Sequence, residues 1–218
     1  MNRMPTHHPS EETLLRHAAG TLPAGPSLVI AAHLSGCAQC RAAMRLGEAI
    51  GGVLLADSPA APMAADALDR ALARLEEPIS IASHPDRVQE IAPGVPLPAT
   101  LRGLTDGTWR WVAPGIGRIR LRVPGAAPGE RAYLLRVVPG STLPEHGHRG
   151  LEITCVLSGR FSDTTGTYGP GDVAEMEAGA DHQPVAEPGE TCICLIATQG
   201  RLRMRGLLAR ALQPLVGV

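Results

Sequence analysis

The chain has 218 residues, of which 44% are hydrophobic and 19% charged, and a formal net charge of −1. This composition excludes a mostly disordered or coiled-coil chain, and the length allows one large or two small domains. The near-zero net charge and an aromatic content of 2% argue against direct binding of nucleic acid.

The first residues lack the apolar core of a signal peptide, and every apolar stretch is shorter than the ~20 residues that cross a bilayer. We therefore expect a cytoplasmic protein without membrane contact. An odd number of cysteines, five, in such a chain favours metal binding or free thiols over a disulfide framework.

Helical patterns dominate the first third of the chain. Ser10, followed by two glutamates, is a typical helix start, and Gly20 is a typical stop. Further helices are predicted over residues 26–33, 40–56 and 64–77, the last with an apolar stripe of Leu68, Leu72 and Leu75. We expect His17, on the first of these helices, to face solvent or a partner.

The pattern changes after a proline-rich stretch. Short runs separated by Pro and Gly turns predict the strands of an antiparallel sandwich or barrel, over residues 117–123, 131–138, 151–157, 172–176 and 191–197. The predicted organisation is a helical domain over residues 1–77, a linker over 78–98 and an all-β domain over 99–218.

Three of four ligands for a zinc ion are close together in the first domain. His33 and Cys37 are one helical turn apart, and Cys40 follows three residues later. His8, or else His7, is the expected fourth ligand, and we prefer His8. A closed shell of two imidazoles and two thiolates indicates a structural zinc site. The alternatives are a redox C-x-x-C pair or two ordinary core thiols.

A second group of ligand residues lies in the β domain. His146, His148 and Glu152 are separated by even numbers of residues, so an extended strand would place them on one face. His182 supplies a fourth ligand from a later strand. Three imidazoles and a carboxylate suit a divalent first-row metal such as Zn, Mn, Fe, Ni or Cu. The alternative is that the histidines occupy a polar loop.

The last pair of cysteines, Cys192 and Cys194, falls on one face of a predicted strand, with a spacing of about 6.6 Å that argues against a direct disulfide. They are either core residues or thiols close to the second metal. Cys155 is out of phase with Glu152 and is expected to face away from the ligands.

The chain resembles known families in both halves. Residues 8–77, with His8 and the H-x3-C-x2-C motif, resemble the zinc-binding anti-sigma domain. The segment from Gly140 to Gly159 matches the first cupin motif. Gly171, Gly179 and His182 match part of the second, in which Glu177 replaces the usual proline and Ala186 the usual asparagine.

The two halves together resemble the ChrR-type anti-sigma factors. The resemblance implies an α+β multidomain fold, in which a small all-α zinc-binding helical domain precedes an all-β cupin (jelly-roll) barrel. It also implies structural zinc at the first site and a second divalent metal, for which zinc is the expectation, at the cupin site.

The implied function is regulatory and not enzymatic. The chain would bind an extracytoplasmic-function sigma factor in a 1:1 complex and block transcription until singlet oxygen or organic peroxides cause release through the cupin. Leu14, Leu15, Val53 and Leu54 are candidate partner contacts. The alternatives are a metal-dependent cupin enzyme, such as a dioxygenase or isomerase, and a cupin that serves only for oligomerisation or ligand binding.

Overall fold

A computed structural model describes residues 4–76, 89–105, 107–200 and 202–204. The helices are α1 (Glu11–Ala18), α2 (Ala24–Gly36), α3 (Ala38–Ala56) and α4 (Ala67–Ala73). The strands are β1 (Glu90–Ala92), β2 (Val95–Pro96), β3 (Arg110–Ala113), β4 (Ile116–Leu121), β5 (Glu130–Val137), β6 (His146–Gly147), β7 (Glu152–Ser158), β8 (Phe161–Asp163), β9 (Gly166–Tyr168), β10 (Val173–Met176), β11 (Asp181–His182), β12 (Val185–Ala186), β13 (Cys192–Gln199) and β14 (Arg203–Met204).

The predicted order of helices first and strands afterwards is confirmed. The side chain of Ser10 accepts a hydrogen bond from the Thr13 N–H, which caps α1 as its sequence predicted. Two expectations for this helix are wrong. Leu14 is buried, and His17 is half-buried with its Nδ1 atom 2.7 Å from the Ser27 hydroxyl of α2. The cause is that α1 packs against α2 and α3.

The β-strands form two facing layers. The larger layer is an antiparallel sheet with strand order β10-β7-β13-β5-β4-β3. Two small sheets, β11-β6-β14 and β12-β8-β9, form the other layer. Side chains from both layers share an apolar interior that includes Tyr133, Val156 and Phe161. This is the antiparallel sandwich that the sequence pattern predicted, in the jelly-roll form that the resemblance to cupins implied.

The opposite face of the large sheet is covered by α2, which packs on β13, β7 and β5. Val29 and Ile30 of this helix are fully buried in one core cluster with Ile153 and Leu195 of the sheet. The approach is close at Gly25, where a Cβ atom would lie 3.3 Å from the Cβ of Ala197. The helices and the β-sandwich therefore share a hydrophobic core.

The segment predicted as a linker is only partly described. Residues 77–88 lie outside the described residues, whereas β1 and β2 form a small antiparallel sheet next to the sandwich. Ile91 of β1 is buried in the core that the helices share with the large sheet. Among the described residues, no helix has both the length and the apolarity needed to cross a membrane.

Candidate metal centres

The first predicted cluster assembles in the structure. One ligand atom from each of His8, His33, Cys37 and Cys40 lies within 4.8 Å of every other. The His8 Nδ1 atom is 3.5 Å from the Cys37 sulfur and 3.4 Å from the Cys40 sulfur. A tetrahedral zinc ion with bonds of about 2.0 Å to nitrogen and 2.3 Å to sulfur requires N···S separations of roughly 3.5 Å. The donor set and its spacing therefore fit this ion.

His7, the alternative fourth ligand, does not join this cluster. Its Nδ1 atom is 3.4 Å from Asp172 Oδ2, and its ring packs on Tyr168 with centroids 4.6 Å apart. The side chains of these consecutive histidines point in different directions, that of His7 to the cupin and that of His8 to the two cysteines.

The local fold explains the positions of the other ligands. His33 lies in the last turn of α2, and Cys37 is the residue between α2 and α3, where its sulfur accepts a hydrogen bond from the Cys40 N–H at 3.4 Å. His33 Nδ1 is 2.7 Å from the Gly171 carbonyl oxygen, so Nδ1 donates its proton there. His33 Nε2 is buried and has no hydrogen-bond partner among the described residues. A lone pair left in this way is the usual state of a metal-ligating imidazole.

Burial also constrains the charge of this cluster. Burial lowers the pKa of His33 and keeps its imidazole neutral, which is the ligand form. Burial, together with the hydrogen bond and charge of Cys37, raises the pKa of Cys40 to about 12. A thiolate at this position therefore needs a cation beside it, and a coordinated divalent ion supplies that charge.

The second predicted cluster also assembles. Ligand atoms of His146, His148, Glu152 and His182 lie within 4.8 Å of one another, and all four residues are buried. The Nε2 atom of His182 is 3.1 Å from the Nε2 atoms of both His146 and His148. The nearest approach of Glu152 to an imidazole is 3.4 Å, to Nδ1 of His148.

One part of the geometric prediction for this cluster is wrong: His146, His148 and Glu152 do not share one extended strand. The other part, that His182 comes from a later strand, agrees with the structure. His146 lies on β6, His148 on the loop that follows, Glu152 at the start of β7 and His182 on β11. The chain bends at residues 149–150, and the pairing of β11 with β6 brings His182 directly opposite His146.

Supporting groups fix the protons of this cluster. His146 Nδ1 donates to the Pro144 carbonyl oxygen at 2.8 Å, and His182 Nδ1 donates to Asp163 Oδ2 at 2.9 Å. The facing Nε2 atoms of these two rings therefore both hold lone pairs, which repel unless a cation lies between them. Nitrogen atoms about 3 Å apart are compatible with metal–nitrogen bonds of about 2.0–2.1 Å. The arrangement could hold a metal ion.

Burial and the neighbouring ionisable side chains determine the pKa values of this cluster. Burial, together with His146 and His182, lowers the pKa of His148 to about 3, and burial raises the pKa of Glu152 to about 7. Burial favours the neutral form of Asp163, but its hydrogen bonds from His182 and Thr165 outweigh this effect and bring the pKa to about 2. Asp163 is a supporting carboxylate that the sequence analysis missed.

A cavity of about 140 Å³ lies beside the second cluster. Most of its wall is apolar, and His146, Glu152 and His182 contribute to one part of it. Cys192 and Cys194 line the same cavity, whereas Cys155 belongs to the core on the other face of the sheet. The sequence left two interpretations of the pair open, core residues or thiols near the cluster, and both describe it, because Cys192 and Cys194 are buried in the apolar interior and line the cavity. The prediction that Cys155 faces away agrees with its position.

The fold and the two clusters define a class of protein in which a helical domain with a His/Cys cluster is joined to a cupin. Comparison with known proteins agrees with this class. Residues 100–201 match the family described as ChrR Cupin-like domain. The anti-sigma-E factor ChrR of Cereibacter sphaeroides is 38% identical over 208 residues, which cover 95% of this chain and 96% of that protein. The chain belongs to the ChrR family of anti-sigma factors.

One solved structure of a relative agrees with the fold. The crystal structure of Rhodobacter sphaeroides SigE in complex with the anti-sigma ChrR matches with a TM-score of 0.73 and 37% identity over 89% of this chain and 99% of that chain. An RmlC-like cupin from Ralstonia eutropha JMP134 matches with a TM-score of 0.43 and 23% identity over 50% of this chain and 73% of that chain. An anti-sigma factor has a regulatory role, so the prediction that this chain is not an enzyme is confirmed.

Proposed function

We propose that this protein binds an extracytoplasmic-function sigma factor in a 1:1 complex and thereby blocks transcription. The observation that carries the proposal is an apolar surface on α3 that no described part of the chain covers. We call it the apolar helix face, and it comprises Leu46, Ile50, Val53 and Leu54, each at least 53% exposed. Leu68 and Leu72 of α4 are exposed as well. An exposed apolar surface of this kind marks a binding site.

The spacing of the side chains supports this interpretation. Leu46, Ile50, Val53 and Leu54 recur at intervals of four, three and one residues, so they lie on one side of α3. A relative that covers nearly the whole chain was crystallised with a sigma factor. Of the four predicted contacts, Leu15, Val53 and Leu54 are exposed and remain candidates, whereas the burial of Leu14 removes it. A partner of this kind places the protein in the cytoplasm.

The direct test is capture of extracytoplasmic-function sigma factors co-expressed with the full chain. We expect the double variant Val53→Asp, Leu54→Asp to bind its sigma factor at least about a hundredfold more weakly, which corresponds to about 3 kcal/mol. Trp111→Asp is the matched control, because Trp111 is 61% exposed but lies on β3 of the cupin. Equal affinity of the double variant and the wild type would contradict the proposal.

We further propose that His8, His33, Cys37 and Cys40 hold a structural zinc ion, and that His146, His148, Glu152 and His182 hold a second divalent ion, with zinc as the expectation. The closed donor set of the first cluster and the facing lone pairs of the second support these roles. Metal analysis of the purified chain should find two ions per molecule. His33→Ala and His148→Ala should each lose one of them.

The cupin is proposed to control release. Oxidants such as singlet oxygen or an organic peroxide would act at the cupin cluster and cavity, where the four proposed metal ligands and two thiols lie close together. Release requires that the oxidised state bind the sigma factor more weakly, and about 3 kcal/mol would reduce affinity more than a hundredfold. His148→Ala should still capture the sigma factor but should lose oxidant-triggered release. Unchanged release would contradict the sensor role.

A further inference from the structure

We propose that Asp172 is a positioning residue of the first metal cluster, so that the cupin supplies the outer support of a site whose ligands all come from the helical part. The inference rests on the metal-binding role proposed above for His8, His33, Cys37 and Cys40. The inference adds Asp172 to the site and makes the site dependent on the second domain. Neither point can be deduced from the spacing of the ligands in the sequence.

The first observation is the hydrogen bonding of the segment before His8. Asp172 Oδ1 accepts hydrogen bonds from the backbone N–H groups of Thr6 at 2.6 Å and His7 at 2.9 Å. The His7 carbonyl oxygen accepts one from the Val173 N–H at 3.1 Å. This segment has no helix or strand to hold it, and yet it must place the His8 imidazole on two sulfur atoms. The carboxylate of Asp172 fixes the backbone immediately before that ligand.

The second observation is that the same turn supports a second ligand. The carbonyl oxygen of Gly171 accepts the Nδ1 proton of His33 at 2.7 Å and so directs Nε2 to the cluster. Gly171 has φ +88°, and a Cβ atom there would lie 2.9 Å from Pro5 Cγ. A glycine is therefore required both for the turn and for the close approach of the N-terminal segment. Both imidazoles of the cluster thus depend on consecutive residues of the cupin.

The turn is continuous with the second cluster. Asp172 precedes β10, which pairs with β7, and the last pair of that register joins Met176 to the ligand Glu152. Glu175 of β10 also accepts a hydrogen bond from the Ser10 N–H at the start of α1. A change in the cupin that displaces β10 would therefore move the support of His8 and His33. In this arrangement, metal retention at the first cluster depends on the conformation of the cupin.

The test uses the full chain, stripped of metal under reducing conditions and titrated with Co²⁺. Thiolate-to-cobalt charge-transfer absorption reports the first cluster, and its loss in Cys37→Ser verifies the assignment. We expect Asp172→Asn to weaken cobalt affinity at this cluster by about tenfold to a hundredfold, as loss of an outer support of a ligand does. Glu187→Gln is the matched control, because Glu187 is a half-buried cupin carboxylate that accepts a hydrogen bond from Ser162.

A second variant protects the test against misfolding. Thr6→Pro removes the donor of the 2.6 Å bond and leaves every cupin residue in place. It should weaken cobalt binding in the same direction as Asp172→Asn. Wild-type affinity in both variants would overturn the role of Asp172. Absence of the charge-transfer band in the wild type would instead overturn the metal role proposed for the cluster, and the inference with it.

Discussion

The sulfur atom of Cys192 lies 3.6 Å from that of Cys194. Two residues on the same face of a regular strand are about 6.6 Å apart along the chain. Here the pairing of β13 with β7 shifts register between Ile193 and Cys194, which is the irregularity of a β-bulge. The extra residue, Leu157, lies on β7, whereas β13 pairs with β5 without a shift, so the short distance reflects two side chains that lean toward each other on one face of β13. The distance revises the expectation that a direct disulfide is unfavourable.

We therefore predict that an organic hydroperoxide joins these two sulfurs. One hydroperoxide and two thiols give a disulfide, an alcohol and water. The hydrogen bond with Cys192, together with burial, raises the pKa of Cys194, so the thiolate is scarce and the reaction should be slow. The test uses a Cys37→Ser, Cys40→Ser background, which removes the other close pair of thiols. Intact mass should show the loss of two hydrogen atoms in this background, and addition of Cys192→Ser should abolish it. The same loss after addition of Cys192→Ser would exclude this pair.

The shared core predicts that the helices and the cupin unfold together. Ile30 of α2 is fully buried in one cluster with residues of the large sheet. Ile30→Ala should lower the free energy of unfolding by about 2–5 kcal/mol, with a single transition in chemical denaturation. Ile50→Ala, on the apolar helix face, should change it by less than about 0.5 kcal/mol. Two separate transitions, with the second unaffected by Ile30→Ala, would contradict a shared core.

The N-terminus of α2 depends on a carboxylate of the cupin. Pro23 at the N-cap position supplies no side-chain hydrogen bond, whereas Glu130 of β5 accepts one from the Gly25 N–H and another from the Ala127 N–H. Glu130→Ala should therefore lower the free energy of unfolding by about 1–2 kcal/mol, as loss of a helix cap does. Glu190→Ala, at an exposed position, is the control. Equal stability of the two variants would show that Glu130 is not a cap.

The effect of metal removal on the melting temperature should distinguish the role of His33 from that of His17, which lies on the adjacent helix. A strong chelator should lower the melting temperature of the wild type, because metal binding to the folded state contributes to stability. His33→Ala should lose the part of this response that belongs to the first cluster. His17→Ala should keep it, because His17 contacts Ser27 and no sulfur atom. A full chelator response in His33→Ala would contradict its role as a ligand.

The sequence was informative where the determinants are local. Helix α1 begins after the cap at Ser10 and ends before the turn at Gly20, as their residue types predicted. His33 and Cys37 are one helical turn apart, as their spacing predicted. The choice of His8 over His7 also agrees with the structure, although the reason, that Asp172 holds His7, lies far away in the chain. Spacing selected four residues that do lie together in the second cluster, but the regular strand assumed for His146, His148 and Glu152 does not exist.

The remaining features depend on contacts between distant parts of the chain. Asp172, Asp163 and Glu130 look like surface carboxylates in the sequence, and only the packing of the helices and turns gives each its partner. The burial of Leu14 has the same origin, since its pattern alone allows either a core or an exposed face. Such long-range pairings leave no local periodicity from which they could be predicted.

The close contact between α2 and the large sheet at Gly25 limits how the helical part can be combined with other cupins. Because a methyl group at that position would meet both Glu130 and Ala197, helix and sheet surfaces must be matched to one another in shape. A chimera that joins this helical part to an unrelated cupin would leave α2 uncapped, expose Val29 and Ile30 and lose the turn beneath His33. The two halves should therefore have coevolved. Exchange of either half between homologues should require compensating substitutions where α2 contacts the large sheet.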